Sequence, residues 1–143
     1  MKPKRSYGVL VVDDEPMLCR LYRRLLEKAG YIVYTAGNGI EGLKILEGRA
    51  AVIQVVYSDV SMPEMGGDEL AGLVNERYPD IEVILSSGYP EEEYAEKLAG
   101  KRYRFMHKPF RNDDLLRLIA ERLESKAAQG LIELAEESSD GTE

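Results

Sequence analysis

The sequence predicts an α/β domain: a five-stranded parallel sheet with helices on both faces. Two observations predict it. Short apolar runs alternate with stretches of helical periodicity, giving five strand–helix pairs. Five polar residues suited to one site then fall just where those strands end. Alternation of this kind implies right-handed βαβ crossovers, and ligands of such sheets sit beyond the carboxyl ends of the strands.

The elements follow in order. Val9 to Val12 is a continuous apolar run that suits a buried strand. Glu15 to Ala29 follows as a helix with Leu18, Leu21, Tyr22, Leu25 and Leu26 on one face, and Gly30 stands where a left-handed cap residue is wanted. Tyr31 to Thr35 is β-branched and aromatic, as strands are. Asn38 to Leu46 is helical, with Ile40, Leu43 and Leu46 as its stripe and Gly48 closing it. Val52 to Tyr57 is the third strand, apolar except for Gln54. A loop with Pro63, Gly66 and Gly67 leads to a helix over Asp68 to Arg77, with Leu70, Leu73 and Val74 inward. Glu82 to Leu85 is the fourth strand. Pro90 suits a first helical turn, and Glu91, Glu92 and Glu93 suit its positive end. That helix, Glu91 to Ala99, is weakly apolar: mainly Tyr94, Ala95, Leu98 and Ala99 are available to pack. Arg104 to His107 is a short fifth strand. Asn112 or Asp113 suits the cap of a last helix carrying Leu115, Leu118, Ile119 and Leu123.

That last stripe continues through Ala127, Leu131 and Leu134. Gly130 weakens the continuation by ~1 kcal/mol relative to Ala. We therefore expect a domain over residues 7–125 and an extension over 126–143, partly helical and then disordered from Ser138.

Composition narrows the function classes. The chain has 143 residues, 44% hydrophobic and 31% charged, which suits one soluble domain. No apolar run approaches the ~20 residues that span a bilayer, and the basic start lacks the apolar stretch of a signal peptide. A cytoplasmic location is expected, and the single cysteine, Cys19, agrees with a reducing compartment. Net charge is −7, and Leu131 to Glu143 holds five acidic residues and no basic ones, leaving −2 elsewhere. No basic stripe is present to neutralise phosphates, so direct nucleic acid binding is not expected.

The polar residues at the strand ends carry the chemistry. Asp13 and Asp14 close the first strand and Asp59 the third; Ser87 follows the fourth and Lys108 the fifth. Three converging carboxylates repel each other and need a cation, and hard oxygen ligands suit octahedral Mg²⁺. Asp59 is then set to attack phosphorus, with Lys108 neutralising phosphoryl oxygens and Ser87 offering a hydroxyl. Phosphoryl transfer needs mainly positioning and electrostatics. Singly, each residue has a plainer reading. The two aspartates suit a solvated strand end or a helix cap, Asp59 a turn, Ser87 a loop hydroxyl and Lys108 a surface charge. His107, the only histidine, should alternate away from its strand neighbours, and no partner motif marks it as a base. Cys19 lies in a helix and suits packing.

Four stretches together resemble response regulator receiver domains: Val11-Val12-Asp13-Asp14-Glu15-Pro16, Ser58-Asp59-Val60-Ser61-Met62-Pro63-Glu64-Met65-Gly66-Gly67, Leu85-Ser86-Ser87-Gly88-Tyr89 and Lys108-Pro109-Phe110. The resemblance implies a flavodoxin-like fold with strand order 2-1-3-4-5. It implies that Asp59 is the phosphoacceptor and that Asp13, Asp14, Asp59 and the backbone carbonyl of Ser61 hold Mg²⁺. Ser87 and Lys108 would bind the phosphoryl group. Phe105 matches the family's switch aromatic, expected to swing inward as Ser87 moves. The Ser-Gly-Tyr form is similar to receivers attached to hybrid sensor kinases. A sensor histidine kinase or phosphotransfer protein is the implied donor, a further protein the implied target, and the assembly a monomer or a phosphorylation-dependent dimer. The helix from Glu91 and the fifth strand would form the responsive face.

Two other functions compete. Haloacid dehalogenase-type phosphatases share an Asp nucleophile, Mg²⁺, Ser/Thr and Lys. Their nucleophile follows the first strand, however, and their second acid stands two residues on, where this chain has Ser61. A binding module that works without phosphorylation is the other alternative, and the complete acidic set argues against it.

Overall fold

The computed structural model describes residues 7–140, with side chains through residue 128. The chain runs β1 (Gly8–Val12), α1 (Pro16–Lys28), β2 (Ile32–Ala36), α2 (Gly39–Arg49), β3 (Val55–Asp59), α3 (Gly67–Arg77), β4 (Glu82–Ser87), α4 (Ala95–Leu98), β5 (Arg104–His107) and α5 (Asn112–Asp140). Short 3-10 segments, Ala50–Val52 and Glu91–Tyr94, precede β3 and α4. All strand pairs are parallel, in the order β2-β1-β3-β4-β5. This is the expected five-stranded α/β fold.

Side-chain alternation along the buried strands sorts the core into two halves. Leu10 and Val12 join Leu43, Leu46, Val56, Leu70, Val74, Leu85 and Leu98 on the face covered by α2, α3 and α4. Val9 and Val11 join Tyr22, Leu26, Val55, Tyr57, Ile84, Leu115 and Ile119 on the face covered by α1 and α5. Each buried aliphatic side chain contributes about 1.5–3 kcal/mol. The continuous apolar runs of β1 and β3 are thereby explained: both faces of the sheet are covered.

Several local expectations need correction. Periodicity puts Leu21 and Ile40 on the inner stripes of their helices, but both are exposed. Leu26 is fully buried in α1, while Leu21 lies to the side of the stripe. Gly48 does not close α2, which continues to Arg49. Val52 is not in β3; it ends a 3-10 turn and is half-exposed. The expected helix over Glu91 to Ala99 is instead a 3-10 turn followed by one α-helical turn, with Tyr94 and Leu98 buried and Ala95 and Ala99 exposed. Two packing anchors support little more than two turns.

Two helix ends follow the sequence, and the start of α5 does not: Asn112 and Asp113, expected as its cap, are its first two residues, and Arg111 precedes them. The Asn38 side chain accepts from the Glu41 N–H at 3.0 Å and caps α2. Gly30 follows α1 at φ 103°, a left-handed backbone that costs glycine little. At α5 the link runs the other way: the Asp114 carboxylate accepts from the Arg111 N–H at 3.1 Å, the return half of a capping box. The backbone of α5 includes Ser138 to Asp140; of the end expected to be disordered, residues 141–143 lie outside the described residues.

Candidate functional site

The carboxyl ends of β1, β3, β4 and β5 form one edge of the sheet. In β3, Asp59 pairs in register with Ser86 of β4, and Ser87 pairs with His107 of β5. Asp13 follows β1 directly and is pinned there by its own N–H, which donates to the Ala36 carbonyl at 3.0 Å. Residues distant in sequence therefore meet. Oxygens of Asp13, Asp14 and Asp59 all lie within 4.8 Å of one another, and Lys108 Nζ stands 3.8 Å from Asp59 Oδ1.

The environments of these groups differ. Asp13 is 2% exposed, Asp59 is half-buried and Asp14 is exposed. Burial raises the Asp13 carboxyl above the ordinary carboxylate range, against the pull of the Glu15 N–H that donates to its Oδ1 at 2.9 Å. Burial also raises Asp59; Lys108 opposes this, while Asp13 and Asp14 add to it. Such a set invites a cation. The donors are all hard oxygens, and one face of the cluster reaches solvent. They fit a divalent ion of the Mg²⁺ or Ca²⁺ kind.

Neighbouring packing holds the edge in place. Gly67 brings the start of α3 against β3: a Cβ there would lie 2.2 Å from the Asp59 carbonyl oxygen. Gly67 N–H donates to the Val60 carbonyl at 2.9 Å. Lys108 is tied to β4 through its backbone. Its N–H donates to the Ser87 carbonyl at 2.8 Å, and the Lys108–Pro109 peptide is cis. Phe110 packs edge-on to Tyr57 at 6.4 Å. Beneath the site, the Tyr57 hydroxyl pairs with Ser86 Oγ at 3.0 Å, so neither buried group lacks a partner.

Ser87 is buried, and its hydroxyl is occupied. Oγ accepts the Tyr89 N–H at 3.0 Å and lies 2.5 Å from the Tyr94 hydroxyl. That phenol also stands 3.3 Å from Ser61 Oγ, and its ring meets Phe105 at 6.3 Å. From the sequence Tyr94 reads as packing only, because a tyrosine seven residues past a serine carries no motif. His107 is exposed, outside the cluster. Cys19 is buried with its thiol donating to the Asp13 carbonyl at 3.2 Å, and burial pushes that thiol up.

Comparison with known proteins decides the family. The family model described as "Response regulator receiver domain" matches residues 9–120. The chain belongs to the response regulator receiver family. A sensor kinase, CckA, of Brucella abortus (strain 2308) is 38% identical over 122 residues, covering 85% of this chain and 13% of that protein. Hybrid signal transduction histidine kinase D of Dictyostelium discoideum is 30% identical over 128 residues, covering 87% of this chain and 8% of that one. The receiver thus spans a small fraction of these relatives. Among solved structures, a response regulator receiver domain protein from Clostridium thermocellum matches with TM-score 0.79 and 27% identity, covering 86% of this chain and 98% of that one. The response regulator TrrA from Thermotoga maritima, solved with Mg²⁺ and beryllofluoride, matches with TM-score 0.70 and 29% identity, covering 81% and 98%. The receiver is a phosphoacceptor module of two-component signalling. No helix among its described residues is long and apolar enough to cross a membrane.

Proposed function

We propose that Asp59 of this receiver accepts a phosphoryl group from a histidine kinase or phosphotransfer protein, and that the modified domain then signals through the α4 and β5 face. One observation supports this above the others: three carboxylates converge within 4.8 Å, with the Lys108 ammonium 3.8 Å from one of them.

Each residue has a role in this reading. A carboxylate oxygen of Asp59 attacks phosphorus, the P–N bond of the donor phosphohistidine breaks, and the imidazole leaves with the electron pair. Lys108 offsets charge on the incoming phosphoryl oxygens. Ser87 donates its hydroxyl to one of them after transfer. Asp13, Asp14, Asp59 and the carbonyl of Ser61 would hold Mg²⁺, which supplies charge neutralisation at the phosphoryl oxygens. The new group carries about −2 at neutral pH, enough to reorder nearby donors. Phe105, half-buried against Tyr94, is the aromatic expected to respond. The TrrA likeness, a structure holding Mg²⁺ and beryllofluoride, supports the same chemistry.

The test is labelling from acetyl phosphate with Mg²⁺. Stoichiometric, acid-stable and base-labile incorporation is expected, and Asp59→Asn should abolish it. Undiminished labelling in that variant would remove Asp59 from the reading. Rapid turnover of generic phosphomonoesters would favour the phosphatase alternative.

A further inference from the structure

We propose that Tyr94 is a positioning residue for Ser87: its hydroxyl latches the serine in the resting state and must be released before Ser87 can serve the phosphoryl group. This rests on the role given to Ser87 above.

The geometry is specific. Ser87 has one hydroxyl proton and already accepts the Tyr89 N–H. Its closest polar neighbour is the Tyr94 phenol at 2.5 Å, a short O–H···O contact in a buried setting where such bonds are strong. With its single proton given to the Tyr94 oxygen, Ser87 can donate to a phosphoryl oxygen only by exchanging this partner. Phe105 has no hydroxyl and so offers Ser87 no hydrogen bond; Tyr94 does. Tyr94 also has a second partner in reach, Ser61 Oγ at 3.3 Å. A phenol released by Ser87 can turn to Ser61 instead of being left bare, which lowers the cost of the exchange.

The latch couples to the responsive face directly. Tyr94 ends the 3-10 turn Glu91–Tyr94 and leads into α4, a single helical turn. Tyr94 and Leu98 are the two buried anchors of this segment. Loss of the Ser87 bond therefore loosens a segment with little other packing. The Tyr94 ring lies against Phe105, so release of the phenol also frees the aromatic on β5 to move.

The experiment measures Mg²⁺-dependent beryllofluoride binding by the full chain, wild type against Tyr94→Phe, with Asp59→Asn as reference. Tyr94→Phe keeps the ring and removes the latch, so its apparent Kd should fall roughly 3- to 10-fold, the worth of one hydrogen bond. A purely structural role for Tyr94 would weaken binding or leave it unchanged, and either result overturns the latch. In a Ser87→Ala background, Tyr94→Phe should have no further effect; a persisting gain would also overturn it. On the wild type alone, saturating beryllofluoride should speed amide exchange over Glu91–Leu98, and unaltered exchange there counts against the latch. Wild-type binding that Asp59→Asn abolishes upholds the phosphoacceptor reading whatever Tyr94→Phe does. Absence of wild-type binding defeats both.

Discussion

At the scale of residues, the pocket is held in a state that is costly without a cation. Burial raises both Asp13 and Asp59 above the ordinary carboxylate range. A carboxyl raised in the folded state binds its proton more tightly there than in the unfolded chain. Its stability contribution is full below the unfolded value and is lost as pH rises through the folded value. Metal-free Asp13→Asn should therefore melt a few degrees above the wild type at pH 7. The amide oxygen can still accept the Glu15 N–H, and the advantage should shrink as pH falls toward the ordinary carboxylate range. Millimolar Mg²⁺ should reverse the order by stabilising the wild type preferentially. A melting series over pH and Mg²⁺ checks both signs. The convergence of these residues was legible because strand ends of a parallel sheet share an edge. The unequal burial of Asp13 and Asp14 was not, since adjacent residues past a strand end diverge with the local backbone. Nor was the Tyr94–Ser87 bond, which depends on how a short turn folds back over β4.

At the scale of elements, close backbone approach decides which glycines matter. Gly67→Ala would place a Cβ 2.2 Å from the Asp59 carbonyl oxygen, and neither partner is a flexible side-chain end. The α3 start or the β3 end must shift, at a cost of about 1–3 kcal/mol. Urea unfolding should report that loss, with weaker beryllofluoride binding because the shift falls at the site. Gly48→Ala is the contrasting case. It lies within α2, and its Cβ would meet nothing within 4 Å, so it should gain about 0.5–1 kcal/mol. The same positions mark what periodicity reads well and poorly. The existence, type and order of the elements followed from apolar patterning and caps. Their edges did not: a glycine tolerated near the end of α2 looked like a stop, and the 3-10 turn ending at Val52 looked like strand. The turn at Glu91 looked helical because its carboxylates suit any helical start, 3-10 or α.

At the scale of the molecule, one edge of the sheet gathers every residue of the proposed chemistry, and none of them lies beyond Lys108. Removing residues 129–143 takes away none of them and should leave phosphoryl uptake within roughly 2-fold. A larger loss in a labelling assay would give the end of α5 a part in the reaction. The anchor of α5 lies before that cut: Leu115, Ile119 and Leu123 are buried against the sheet, and Arg122 Nε bonds Glu82 at 2.8 Å.

Three acidic groups sharing one ion beside a lysine are the centre of the proposed chemistry. Crystals soaked in Mn²⁺, which takes Mg²⁺-like oxygen sites, would test this by anomalous scattering. A single peak is expected at about 2.0–2.3 Å from oxygens of the cluster formed by Asp13, Asp14 and Asp59. A peak bound to surface carboxylates alone, with the pocket bare at saturating Mn²⁺, would contradict it.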